Sequence, residues 1–476
     1  MERGFSSAPR RLVGRLIVTG LLLFSTACSL VDERRSAGVA PPLPETFLHS
    51  GAGAAPPHWW RALADPQLDA LVERALRRNF SLRAAWDRLD QAAALAREAG
   101  AAYYPTLDAS ATATRNLTKN GAAVGDSRFL AGLGAAYEVD LWGRVHSSAQ
   151  AAELDHQASA AQLQTAALSV SSKVANTWYR LAADYAQAQL LDQQLDTNEK
   201  VLELVTLRFR HGRAGAIDVL QQRQLAESTR GDLALARAAI AVTRQQLAVL
   251  LGGTAATLAV PEAARARLIE VPPLPATGVP VERLQQRPDV RRDWLALRAA
   301  DRRVAVAVAE RYPRLSLTAD ASGGGDRARD LFGDWLSNLS ANLLLPVIDG
   351  GRRRAALERA RAVSAEALDT WRQALVTAFA EAQNALEREQ RQHEYLASIE
   401  RQLQLSKQTI ERLRDSYRNG AVDYLRVLDA LLTDQALERT ALEARRQLIE
   451  FRIDLHRALA GGWEPVRPPS VVAGGA

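Results

Sequence analysis

Four landmarks in this chain recur at one fixed distance. Tyr104-Pro105 is answered by Tyr312-Pro313, and Trp86 by Trp294. Phe209-Arg-His-Gly212 is answered by Tyr417-Arg-Asn-Gly420, and Glu138-Val-Asp-Leu-Trp-Gly-Arg144 by Pro346-Val-Ile-Asp-Gly-Gly-Arg352. The separations 312−104, 294−86, 420−212 and 352−144 all equal 208. A constant offset over so much of the chain means two copies of one structural unit. The unit is far longer than the roughly 20–50 residues of a solenoid repeat, so it is a domain-sized element, duplicated. Two large, similar halves therefore replace the roughly three domains that a chain of 476 residues would otherwise suggest.

Each half contains a long stretch without proline or glycine, from Arg144 to His211 and from Arg352 to Asn419. Ala, Leu, Gln, Arg and Glu dominate both stretches, and all are strong helix formers. Apolar residues recur at helical spacing, as Val170, Val174, Trp178, Leu181 and Tyr185 do, followed by Leu191, Leu195, Leu202 and Val205. The second copy carries Leu368, Trp371, Leu375, Phe379 and Leu386 in the same manner. At about 1.5 Å per residue each segment is a rod of roughly 100 Å, suited to a long coiled coil, a scaffold or a tube. Each rod stops at a glycine, Gly212 or Gly420, the residue that enters the left-handed conformation without steric penalty. A second helix returns over about 216–251 and about 421–460, and the pairs Gly252-Gly253 and Gly461-Gly462 close the returns. Each half is thus expected to hold an antiparallel helical hairpin.

A different period precedes each rod. Leu107, Ala109, Ala111 and Ala113 alternate with Asp108, Ser110, Thr112 and Thr114. Leu315, Leu317, Ala319 and Ala321 alternate with Ser316, Thr318, Asp320 and Ser322. Period two indicates strands with one apolar and one polar face. A polar loop follows each, over 116–127 and 323–330, with Gly323 to Gly325 read as part of the second turn. Return strands are expected over about 128–139 and about 332–345. Strands of this length match those that cross an outer membrane at a tilt. Four strands cannot close a barrel alone, and open edges cannot sit in lipid. Either the hairpins stay in water, or several chains share one barrel. Three copies would supply twelve strands.

The N-terminus carries an export signal: Arg10, Arg11 and Arg15, then the apolar run from Leu16 to Phe24, then Ser25-Thr26-Ala27. The Arg10-Arg11 pair alone is a thin basis for twin-arginine export. Cys28, the single cysteine, follows the cleavage site and cannot form an internal disulfide. Phe24-Ser-Thr-Ala-Cys28 resembles a bacterial lipobox, with Ser25 where leucine is usual, which leaves ordinary cleavage after Ala27 as the alternative. Residues 31–57 are rich in Pro, Ala and Gly and read as a tether.

No catalytic constellation is visible. The seven histidines do not pair at metal-ligand spacing, and neither an HExxH motif nor a phosphate-binding loop ending Gly-Lys-Ser/Thr occurs. The net charge of +6 rests on arginines that alternate with Glu and Asp along helices, which reads as a solvated surface. Nucleic-acid binding is set aside by the export signal.

The mature chain resembles the outer-membrane efflux factors of the TolC and OprM type, in particular the lipoproteins linked to resistance-nodulation-division (RND) pumps. The stretches that carry the resemblance are Trp59 to Leu68, Ala75 to Leu82, Tyr137 to Arg144, Arg287 to Val290, and Tyr417 to Gly420 leading to Val427 to Ala430. Their order, together with the duplication and the export signal, is specific. The resemblance implies a mainly α fold with a small β part. Duplicated long helical hairpins would form a trimeric α-barrel, joined to a shared 12-stranded transmembrane β-barrel. The expected segments are a signal peptide (1–27), a lipid-anchored tether (28–57), equatorial helices (58–105), a first barrel hairpin (106–141) and a first helical hairpin (142–251). A linker with equatorial helices (252–313), a second barrel hairpin (314–348), a second helical hairpin (349–461) and a tail (462–476) follow.

The function so implied is an outer-membrane channel that passively conducts small molecules, such as drugs or metal ions, from an inner-membrane RND transporter and a periplasmic adaptor to the exterior. The alternative is the channel of a type I protein secretion system. A soluble periplasmic coiled-coil adaptor would account for the rods but not for the paired strands or the duplication. The expected partners are a homotrimer, the adaptor, the pump and outer-membrane lipid, with no nucleic acid. No enzyme activity, metal or cofactor is expected beyond a covalent lipid on Cys28. By motif match, Asp429 would form a ring of aspartates that narrows the periplasmic tip, and like carboxylates in a narrow pore favour cations. Leu425, one helical turn earlier, would add an apolar constriction. Tyr417 would hydrogen-bond to Asp218 and latch the two tips. Arg426 stands where the TolC-type gate has a second aspartate, and Leu432 where the OprM type has an arginine.

Overall fold

The computed structural model describes residues 40–47, 58–115, 127–256, 268–275, 277, 280–459, 463 and 465–467. The signal peptide, Cys28 and the Gly461-Gly462 pair lie outside them. The elements in chain order are α1 (Pro66–Arg78), α2 (Phe80–Ala101), β1 (Thr106–Arg115), β2 (Ser127–Val139), α3 (Arg144–Arg210) and α4 (Ala216–Leu250). They continue with α5 (Pro280–Gln285), α6 (Pro288–Ala309), β3 (Arg314–Gly325), β4 (Trp335–Leu344), α7 (Arg352–Arg418) and α8 (Tyr424–Leu459). Element starts obey the sequence offset: 288−80, 314−106, 335−127, 352−144 and 424−216 all equal 208. Both α3 and α7 run unbroken for 67 residues, as their lack of Gly and Pro predicts.

The chain divides into two compact units. The first is built from the described residues within 90–158 and 293–372. Its centre is an antiparallel sheet in the order β1-β2-β3-β4. The register aligns Leu107 with Ala135, Ala135 with Ala319, and Ala319 with Leu339. Directly paired residues point to the same side. One face is therefore apolar across all four strands, with Leu107, Leu133, Tyr137, Leu317, Leu339 and Leu343 among its members. Leu107, Leu339 and Leu343 are exposed. The opposite face carries Asp108, Ser110, Thr112, Thr318, Asp320 and Asn338, with Leu130, Leu336 and Leu344 as apolar exceptions.

The expected second strand pair needs correction at its outer end. Gly323 to Gly325 belong to β3 rather than to a turn, and Gly325 pairs with Phe129. A Cβ on Gly324 would stand 2.6 Å from Leu130 and 2.7 Å from the Phe129 carbonyl oxygen, so the close approach of β2 requires the missing side chain. Phe332 lies in a 3-10 turn, Ala328–Phe332, and the return strand starts later, at Trp335.

Strand passes to helix through a built joint. Arg144 donates Nε and Nη2 to the two carboxylate oxygens of Glu138 at 2.8 and 2.7 Å. Asp140 accepts from the Val145 and His146 amides at 3.1 and 2.8 Å, which caps α3. Trp142 stacks on Tyr312 and donates Nε1 to the Pro313 carbonyl at 2.7 Å. In the second half Asp349, one position beyond the slot equivalent to Asp140, accepts from the Gly351 and Arg353 amides.

The second unit comprises 41–89, 159–292 and 373–476. Its main core joins Trp59, Trp60, Leu68, Leu82, Trp178, Leu181, Leu247 and Leu251, all buried. Asp65 ties α1 to α3. It caps α1 by accepting from the Gln67 and Leu68 amides, and it also accepts from Trp178 Nε1 at 2.9 Å and Tyr179 Oη at 3.2 Å. The Arg-Pro-Asp-Val motif has a local task. Buried Arg287 binds Asp289, Glu381 and the Ala458 carbonyl. Arg452 and Glu389 form a second buried centre, both 1% exposed in their side chains. Arg452 grips Glu389 through Nε and Nη2 and donates Nη1 to the carbonyls of Pro272 and Pro273, which fastens the segment between the two repeats.

His456 stacks on Trp59, and its Nε2 has no hydrogen-bond partner among the described residues. Burial, reinforced by the charge of Arg452, pushes its pKa down to about 4. The unfolded imidazole gains a proton below 6.5, while the folded one stays neutral until about 4. The unfolded state binds more protons in that window, so stability falls as pH falls through it. The expected loss from this group is about 3 kcal/mol by pH 4. Denaturation midpoints of the wild type and His456→Phe across this range test it. Parallel pH slopes for the two proteins would exclude His456 as the source.

Candidate functional site: the hairpin tips

The turns at the ends of α3 and α7 have the same construction. Gly212 has φ +66° and Gly420 φ +75°. The Arg213 amide bonds back to the Arg208 carbonyl at 2.8 Å, and the Ala421 amide to the Ser416 carbonyl at 2.9 Å. These are six-to-one bonds that close a helix through a left-handed glycine. Asp218 then caps the first return helix by accepting from the Gly215 amide at 2.9 Å.

Both tips meet in one small core. Val205, Tyr424 and Leu428 are buried together, with Val201, Val219, Leu225 and Tyr417 packed around them. Tyr417 lies 5.8 Å from Tyr424, and the Arg208 guanidinium covers its ring at 4.3 Å. Burial raises the Tyr417 pKa, Asp218 adds to the rise, and Arg208 opposes it. The expected bond from Tyr417 to Asp218 is not made among the described residues; Arg208 is the polar group set against Tyr417. Capping is the reason, since the Asp218 carboxylate is turned onto Gly215.

The two tips are linked by different residues. Tyr424 on α8 donates its hydroxyl to Gln222 Oε1 on α4. Gln222 donates Nε2 to the Asn198 carbonyl on α3 at 2.7 Å. Asn198 and Gln435 pair side chain to side chain, at 2.8 Å in one direction and 3.4 Å in the other, and Asn198 also donates to Thr229 Oγ1 at 3.0 Å. Gln194 donates to the Gln435 carbonyl at 3.2 Å and to Glu438 at 2.9 Å, and accepts from Arg439 at 3.1 Å. Asn198 and Gln222 are 0% exposed, and Thr229, Gln435, Tyr424 and Gln194 at most 4%. A trace of this network was present in the sequence. Leu191, Asn198 and Val205 are seven apart, so Asn198 interrupts an apolar heptad column. Gln435 follows Tyr424, Leu428 and Leu431 in the same manner.

Asp429 and Leu425 lie on an exposed face of α8, one turn apart. Leu425 is 49% exposed and Leu432, further along, 40%. The Asp429 carboxylate makes no ion pair with a described residue; its carbonyl accepts from Thr433. No group of His, Cys, Asp and Glu suited to holding a metal occurs among the described residues.

A duplicated unit with a strand hairpin followed by a long helical hairpin defines a class, and the comparisons name it. The outer membrane efflux protein family model matches residues 71–253 and again 279–461. The chain belongs to this family. Both pairs of limits differ by 208 (279−71 and 461−253), so the family unit is the repeat itself. The pyoverdine export outer membrane protein OpmQ of Pseudomonas aeruginosa is 34% identical, covering 95% of this chain and 97% of that protein. The cation efflux system protein CusC of Escherichia coli is 28% identical, covering 94% and 99%. The open-state structure of the MtrE outer membrane channel of Neisseria gonorrhoeae matches with a TM-score of 0.81 and 28% identity, covering 91% of this chain and 98% of that one.

Proposed function

We propose that three copies of this chain form an outer-membrane channel that passively exports small molecules. The observation that carries this reading is the four-stranded sheet. Its apolar face is exposed and continuous, while β1 and β4 are bonded on one side only. Such edges are tolerated in lipid only when a barrel closes. Pairing β4 of one copy with β1 of the next gives twelve strands, an even number within the bacterial range. Strands of 10 to 13 residues are about long enough to cross a tilted outer-membrane barrel. The helical hairpins would then line a tunnel through the periplasm, engaging an adaptor and an inner-membrane RND pump, which supply the energy. A lipid on Cys28 would add an anchor. The pyoverdine named for OpmQ favours small organic cargo over protein cargo.

Asp429 and Leu425 supply the constriction in this reading. In a threefold assembly the unpaired Asp429 carboxylates repel and select for cations. Reconstitution into planar bilayers tests the proposal. The wild type should show discrete, low conductance steps and a trimeric mass in detergent. Asp429→Ala should raise the step size severalfold and reduce cation preference in a KCl gradient. A monomer that never conducts would overturn the channel. A conducting wild type with an indistinguishable Asp429→Ala variant would remove Asp429 from the gate.

A further inference from the structure

We infer that the buried ladder Tyr424–Gln222–Asn198–Gln435 is the positioning device that holds α8, and with it Asp429, in its present place against the first hairpin. The inference rests on the channel reading above.

Three observations lead to it. First, Tyr424 and Gln435 bracket Asp429 on one helix, five residues before it and six after. Whatever fixes those two side chains fixes the carboxylate between them. Second, no Tyr417–Asp218 bond is formed among the described residues, while Tyr424 does bond to Gln222 across the tips. Third, the ladder is fully buried and each rung finds a partner: Gln222 both accepts and donates, and Asn198 and Gln435 satisfy each other. A satisfied polar network in a helical interface fixes register and orientation, because any sliding leaves amides unpaired away from water. An apolar seam would tolerate such sliding.

The rungs from Tyr424 to Gln435 carry no net charge. The charged groups found at the margins of the ladder are Asp218 near Tyr424, and Glu438 and Arg439 at Gln194, with Asp232 4.0 Å from Arg439. Salt screens ion pairs but leaves buried amide pairs almost untouched. Opening of this contact is therefore expected to be insensitive to ionic strength.

The test is a double-mutant cycle read by single-channel conductance. Asn198→Leu alone leaves the Gln435 amide unpaired in the interior and should shift the closed–open balance on the order of tenfold towards open. Gln435→Leu should do the same. Asn198→Leu combined with Gln435→Leu removes the unpaired amide but leaves a seam that can slide, so its conductance should stay above the wild-type level. Tyr424→Phe, the mildest change, serves if a single leucine variant fails to assemble, and should raise conductance with little change in trimer yield. The conductance ratio of variant to wild type should be the same in dilute and concentrated KCl. Equal conductance in all ladder variants, or opening by Asp218→Asn and not by Tyr424→Phe, would overturn the inference. So would a ratio that collapses at high salt. A wild type without any conductance would overturn the channel reading itself, which is a separate outcome.

Discussion

Arg452→Ala is expected to lower the unfolding free energy by about 3–5 kcal/mol. The cause is the partner left behind. Glu389 is 1% exposed, and Arg452 supplies both hydrogen bonds to its carboxylate. Removing the guanidinium strands a buried charge and frees the carbonyls of Pro272 and Pro273 at the same time. Arg452→Met combined with Glu389→Leu should recover most of the loss, because a buried pair exchanged for apolar groups of similar volume is often neutral or better. Thermal denaturation of the single and double variants in detergent decides the matter. A single variant that melts with the wild type would show that water reaches the pair.

Gly252→Ala should cost about 2–5 kcal/mol, for two reasons that add. The residue has φ +83°, where any side chain clashes with its own backbone. The added Cβ would also stand 2.5 Å from the Arg78 carbonyl oxygen, and backbone cannot swing aside as a flexible side chain can. The turn sits in a tightly tied corner, where Asn79 donates to the Leu250 carbonyl at 2.9 Å while its own oxygen caps Leu82. Gly212→Ala isolates the first reason. Its φ is +66° and nothing lies within 4 Å of the new methyl, so about 1–2 kcal/mol is expected. Equal melting shifts for the two alanine variants would mean that the close approach to Arg78 carries no weight.

The architecture was legible because its signals are local. An unbroken run without Gly or Pro announces a long helix whatever it packs against, and alternation announces a strand. The glycine run 323–325 misled because glycine usually marks a turn, whereas here it marks the crowding of β3 on β2. The tip contacts were half legible. Asn198 and Gln435 disturb their heptad columns in plain view, yet nothing in the string says that they face each other across 237 residues. Asp218 misled by its position, since a carboxylate three residues past a glycine can cap a helix or reach across to a tyrosine, and it caps. Arg452 and Glu389 were invisible. Both belong to helices studded with Arg and Glu, and only packing tells which of many look-alikes is dry.

The repeat has one consequence for how such a chain diverges. Leu181 and Glu389 occupy equivalent slots, 389−181 being 208, and both are buried, one at 0% and the other at 1%. Asn198 likewise corresponds to Ser406, and Gln222 to Ala430. Gly143 with Gly351 and Gly212 with Gly420 keep their identity because each takes a positive φ in its own half. The interiors drift apart because each half leans on a different neighbour. Kinship between the halves therefore survives in the punctuation of the chain and fades from its interior.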